Sequence, residues 1–204
     1  MQGKRQVLLA GITVAMMMVA ACRVDTSKQN ENGKPNVRVA TPFGGVQVKT
    51  DDALVEQGLG LPIYPGAELV KKDDKKTEAA DVNLSFGKFQ LRVKAAHYRT
   101  ADPPEKVQAF YRDALKRYGT VIACRNNKPV GSPTITEEGL TCDNSKSHGE
   151  VDTGDSSGKI ELKAGSKQHQ HIVGIDPDGS GTKFGVVALD LPGNITVGDE
   201  DNRQ

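Results

Sequence analysis

The sequence predicts an α+β fold: a mostly antiparallel sheet with one main amphipathic helix, about residues 103–118, packed on one face. Three observations predict it. Apolar and polar residues alternate with period two through Asp81–Phe86 and Phe89–Tyr98, the pattern of strands with one buried and one wet face. One stretch, Pro103–Tyr118, carries the apolar spacing of a helix. The order is strands, one helix, strands, and no period of 20–50 residues recurs.

Taken in order, Val37–Lys49 reads as a β-hairpin. Val37 and Val39 flank Arg38, Val46 and Val48 flank Gln47, and Pro42–Gly45 supply the turn. Asp51–Gly58 suggests a short helix, and Leu61–Tyr64 a short extended segment before Pro65-Gly66. Lys71–Lys76 (KKDDKK) is a balanced charge run, expected to be a solvated loop. Val82, Leu84 and Phe86 share one strand face. Phe89, Leu91, Val93 and Ala95 do the same after the Gly87-Lys88 turn, with Gln90, Arg92 and Lys94 opposite.

In the helical stretch, Val107, Phe110, Tyr111, Ala114, Leu115 and Tyr118 form the apolar stripe. Asp102 is the expected N-cap with Glu105 completing a capping box, Pro103 suits the first turn, and Gly119 stops the helix. Thr120–Cys124 reads as a strand. Residues 125–158 are rich in Gly, Ser, Asn and Asp and too long for an ordinary loop, so they are expected to form a surface excursion. Ile160–Leu162, Gln168–Ile175 and Lys183–Leu191 are strands, the last two joined by a turn at Asp176–Gly181.

The chain has 204 residues, 36% hydrophobic and 4% aromatic with no Trp, which suits one modest domain with a core of Val, Leu, Ile and Ala. The expected organisation is a leader at 1–21, a flexible tether at 22–36, one domain at 37–192 and a polar tail at 193–204. Of the 27 Lys and Arg, Lys4 and Arg5 lie in the leader, so the remainder nearly balances the 26 Asp and Glu. A near-neutral chain has no field to gather nucleic acid, so no nucleic-acid partner is expected.

Lys4 and Arg5 precede a 13-residue apolar run, Val7–Val19, and then Ala20, Ala21 and Cys22. This is the layout of a secretory signal, too short to span a bilayer. The segment Val19-Ala20-Ala21-Cys22 resembles the lipobox of bacterial lipoproteins. The resemblance implies cleavage between Ala21 and Cys22 and lipidation of Cys22. Arg23 stands where inner-membrane lipoproteins of many proteobacteria carry Asp, which implies the periplasmic side of the outer membrane. Two cysteines then remain, Cys124 and Cys142. An even remainder in an exported chain predicts a disulfide, closing a loop of about 18 residues.

No catalytic constellation stands out. Asp176–Gly181 resembles the start of a calcium loop, but the twelfth position is Val187. Gly154–Gly158 resembles the trypsin-like GDSGG segment in part, and Ser156–Lys159 fits S-x-x-K, each without its companion motifs. His169 and His171 share a strand face and are the weak metal-ligand candidates. Neither a cofactor nor a resident metal is expected. Segments LPIYPG (61–66) and DPPEKVQAFY (102–111) resemble pieces of small bacterial envelope domains without a known activity. The expected function is therefore a lipid-anchored, non-enzymatic envelope module that binds a protein, glycan or peptidoglycan. The alternative is a metal-dependent enzyme or ligand carrier using His169 and His171.

Overall fold

A computed structural model describes residues 23–27, 36–41, 44–49, 57–73, 76–77, 79–142 and 159–193. The signal segment, its Ala21–Cys22 junction, most of Asp51–Gly58, the second half of the polar excursion and nearly all of the tail lie outside these residues.

Among the described residues the architecture is mostly antiparallel sheet with one main helix, and Gln57 and Gly58 at the end of the expected Asp51–Gly58 helix are also helical. Strands β1 (Arg23–Ser27), β2 (Asn36–Thr41), β3 (Gly44–Lys49), β4 (Glu68–Leu69), β7 (Ala79–Phe86) and β8 (Phe89–Thr100) precede helix α1 (Pro104–Leu115). Strands β9 (Ile122–Arg125), β10 (Lys128–Pro129), β11 (Ile160–Gly165), β12 (His169–Asp178) and β13 (Gly181–Asp190) follow it. They form one sheet in the order β1-β2-β3-β7-β8-β13-β12-β11-β9-β10, with β4 pairing β8 beyond the end of β7. Strands β5 (Lys71–Asp73) and β6 (Lys76–Thr77) form a separate small hairpin.

Three expectations change. Arg23–Ser27, read as the start of a tether, is a strand paired with β2; a polar strand needs no apolar alternation when its neighbour supplies the backbone partners. Lys71–Lys76 is largely a hairpin rather than a loop. The turn between β12 and β13 shrinks from six residues to Gly179-Ser180, because Asp176–Asp178 continue the ladder, with Asp178 opposite Gly181. The hairpin at Gly87-Lys88 is as expected, closed by Phe86 opposite Phe89.

Sheet and helix enclose the main core. On one sheet face, here the helix face, Ala96, Tyr98, Leu162, Ala164, Val173, Ile175, Phe184 and Val186 are buried. From above come Val107, Tyr111 and Leu115 of α1 and Leu59, Leu61 and Tyr64. Val107, Tyr111 and Leu115 are spaced four apart, so they line one side of the helix. The buried part of β8 is therefore the face that carries Gln90, Arg92 and Lys94, opposite to the sequence expectation. The apolar Phe89–Ala95 face stays half-exposed, because α1 lies on the other side of the sheet and covers only the β8–β11 half.

The helix entrance also departs from the capping-box expectation. Its N-cap is Pro103, with no side-chain cap, and Asp102 works elsewhere. The Tyr64 hydroxyl donates to Asp102 Oδ2 at 2.8 Å, Lys106 Nζ donates to Oδ1 at 2.8 Å, and the Thr182 hydroxyl donates to the Asp102 carbonyl at 2.7 Å. The Lys106 and Tyr64 hydrogen bonds hold the Asp102 carboxyl below its ordinary value. A 3₁₀ turn, Lys116–Tyr118, ends at Gly119 with φ 123°. The positive φ favours glycine, and a Cβ there would also push aside the Glu138 carboxylate, whose Oε1 accepts the Thr120 N–H.

A second, smaller core lies under residues 126–142. Asn126 and Asn127, both at positive φ, turn β9 into β10 as a type I′ hairpin. The chain then returns so that Cys124 and Cys142, with Cα atoms 5.4 Å apart, pair as a disulfide beside Ile122 and Leu140. The first half of the excursion is thus tied down.

Two outcomes test this packing. Leu115→Ala, at a fully buried position, is expected to lower unfolding free energy by about 2–5 kcal/mol in urea titrations, whereas Phe86→Ala, 47% exposed, changes it by at most about 1 kcal/mol. Reducing the Cys124–Cys142 pair is expected to cost about 3 kcal/mol, as for a loop of this length. An unchanged urea midpoint under reductant would contradict it.

Candidate functional site

Because α1 covers only part of the helix face, polar side chains occupy the rest. Antiparallel register aligns them in two rows. The first runs Gln47, Asn83, Arg92, Asp190, His169 across β3, β7, β8, β13 and β12. The second, two residues along each strand, runs Lys49, Asp81, Lys94, Ala188, His171. Neighbouring strands lie about 4.8 Å apart, so each row is a track of roughly 20 Å. The β3–β7–β8 portion forms a basin of about 280 Å³ lined by Gln47, Lys49, Asp81, Asn83, Arg92 and Lys94.

The electrostatics are mixed. Lys94 Nζ lies 3.6 Å from Asp81 Oδ2. Asp190 Oδ1 and His169 Nδ1 are 2.9 Å apart at an exposed position. Lys49 and Arg92 face no carboxylate at ion-pair distance among the described residues. At the far end, the His171 ring stacks on Tyr118 with centroids 3.6 Å apart and planes 15° apart. The Tyr118 hydroxyl donates to the Gly60 carbonyl. Burial holds the His171 imidazole below its ordinary value; Asp190 opposes this shift and Arg117 reinforces it. His171 therefore stands neutral at pH 7.

The histidines share a face, as expected, but their partners differ: a carboxylate for His169 and an aromatic ring for His171. Among the described residues no three His, Cys, Asp or Glu side chains gather as a metal set, and no helix is long and apolar enough to cross a membrane. The rows offer charged groups, amides and a carboxylate–imidazole pair on a rigid sheet. These groups can donate and accept hydrogen bonds with polar ligands. Sequence reasoning found His169 and His171 but missed Lys49, Asp81, Arg92 and Asp190 as their companions. The signal was there: Gln90, Arg92 and Lys94 alternate on a strand whose next same-face residues, Ala96 and Tyr98, are core.

Comparison with protein-family models, curated proteins and solved structures found no match.

The lowered His171 value gives a signed expectation. The unfolded chain takes up this proton first as pH falls, so stability contributed by neutral His171 is full above about pH 6.5 and declines below it. The melting temperature is expected to fall as pH drops below about 6.5, and to fall less in His171→Gln. Equal falls in both proteins would contradict the assignment.

Proposed function

We propose that this chain is a lipid-anchored protein of the bacterial envelope, attached through Cys22 on the periplasmic side of the outer membrane. Its domain is a non-enzymatic module that binds a polar, carboxylate-bearing glycan such as peptidoglycan. The observation that carries the binding reading is the pair of rows from Gln47 to His169 and from Lys49 to His171. Amides and hydroxyl-bearing sugars exchange hydrogen bonds in either direction. Lys49 and Arg92 supply cations with no carboxylate at ion-pair distance among the described residues, suited to glycan carboxylates. A flat track about 20 Å long spans several sugar rings rather than one small molecule. The anchor reading rests on the leader and the VAAC segment. The paired Cys124 and Cys142 support an oxidising compartment.

Co-sedimentation with purified sacculi tests the reading. The double variant Lys49→Glu with Arg92→Glu is expected to bind at least about tenfold more weakly, since each lost charge-assisted hydrogen bond is worth about 1.5–3 kcal/mol. Its urea midpoint is expected to stay near that of the parent protein, because Arg92 is exposed and Lys49 only half-buried. Undiminished sedimentation of the variant would refute the assignment of the rows.

A further inference from the structure

Seven of the described aromatic residues fall into two groups, apart from Tyr118 on His171. Tyr64, Tyr98, Phe110, Tyr111 and Phe184 pack together in the main core. Phe86 and Phe89 do not. They close the β7–β8 hairpin at the opposite end of β8, on either side of Gly87-Lys88. Phe86 is 47% exposed, and Lys88 is exposed beside it. Strand β13 pairs with β8 only from Arg92 onward. Residues 89–91 therefore run about 10 Å past β13, while on the other side the tip is level with Gly44 and Thr41 of β3 and β2.

Register ties this tip to the N-terminus. Arg23 of β1 lies opposite Ala40, which lies opposite Gly45, Ser85 and Gln90 in turn. The next row outward is Thr41, Gly44, Phe86, Phe89. Arg23 is thus one residue from the level of the two phenylalanines. It lies three strands from β7, roughly 14 Å away laterally. Cys22 is bonded directly to Arg23, so its Cα lies within about 3.8 Å of the Arg23 Cα. A lipid on Cys22 leaves no slack between anchor and sheet.

We infer that the β7–β8 hairpin tip, Phe86-Gly87-Lys88-Phe89, inserts into the membrane interface beside the lipid-bearing Cys22, so that the sheet stands on the bilayer at a fixed orientation. The inference rests on the lipoprotein reading proposed above. The occupant is the lipid surface because the two rings share one sheet face at the membrane-proximal row and Lys88 lies between them, able to meet lipid phosphate. Interfacial amphipathic helices bury apolar groups about 5–10 Å into the headgroup region, a depth that would take in the Phe86–Phe89 row at this end of the sheet. In this orientation the apolar half-exposed stripe above the tip, Leu84, Leu91 and Val93, rises from the interface, and the polar rows lie on the other face, open to the periplasm.

The chain contains no Trp, so Phe86→Trp creates a single emitter. The experiment uses the full-length protein matured in its bacterial host, reconstituted in phosphatidylethanolamine–phosphatidylglycerol vesicles containing brominated phospholipid. Intact mass reports acylation of Cys22. With Cys22 acylated, emission of Phe86→Trp is expected to be quenched at least about twofold by bromines near the interface. Ile135→Trp, at a 61% exposed position beyond β10, is expected to be unquenched. Phe89→Trp repeats the test if Phe86→Trp folds poorly. An unquenched tip in acylated protein overturns this inference and leaves the anchor reading standing. A blue shift without bromine quenching means a second copy covers the tip, and also overturns it. An unacylated Cys22 overturns the anchor reading, and this inference with it.

Discussion

Phe184 is the contact on which the domain depends. Its ring stacks on Tyr98 at 5.5 Å and meets Tyr111 of α1 at 5.4 Å and Tyr64 at 6.3 Å. One residue of β13 thereby joins the sheet, the helix and the segment before β4. In a chain with 4% aromatic residues and no Trp, this is a concentrated use of the largest apolar side chains. Aromatic contacts of this geometry add about 0.5–1.5 kcal/mol each beyond the area they bury. Asp102 sets the angle of the helix over this cluster, accepting from Tyr64 and Lys106 while its carbonyl takes the Thr182 hydroxyl. Burial pushes the Tyr111 hydroxyl far above its ordinary value, so it stays protonated within the cluster.

Among the described residues, helix α1 covers only part of a wide sheet. Everything proposed for function follows from that mismatch. Where α1 and Leu59–Tyr64 lie, the helix face is apolar and dry. Beyond them the same strands carry Gln47, Lys49, Asp81, Asn83, Arg92 and Lys94, with the Lys94 and Asp81 side chains largely covered and Gly58 against the Lys94 ammonium. Strand β8 makes the change within its own length: Arg92 and Lys94 are polar, while Ala96 and Tyr98, on the same face, are core. The core half of the sheet thus continues into the polar half without a loop between them, which holds the polar side chains in register.

Much of the fold was legible in the sequence. The strands with clean alternation, the helix stripe and the Gly87-Lys88 turn carry local signals strong enough to stand alone. The elements that differed depend on partners distant in sequence. Arg23–Ser27 is polar and becomes a strand through β2. Asp176–Asp178 have turn chemistry but extend a ladder set by Lys183 and Thr182 opposite. Asp102 has the right type and spacing for a cap, yet Tyr64, 38 residues away, engages its carboxylate. The candidate site was only half legible for the same reason. His169 and His171 are linked by a two-residue period, whereas Asp190, Arg92, Asn83 and Gln47 join them only through four strand pairings.

The most direct test of the account follows backbone amide shifts of the isotopically labelled full-length protein while soluble peptidoglycan fragments are added. The account predicts shifts concentrated on β3, β7, β8, β13 and β12 at residues of the two rows, with little change in α1 or at Cys124–Cys142. Shifts confined to other surfaces, or none at saturating fragment, would contradict the claim that the uncovered half of the helix face is the binding surface.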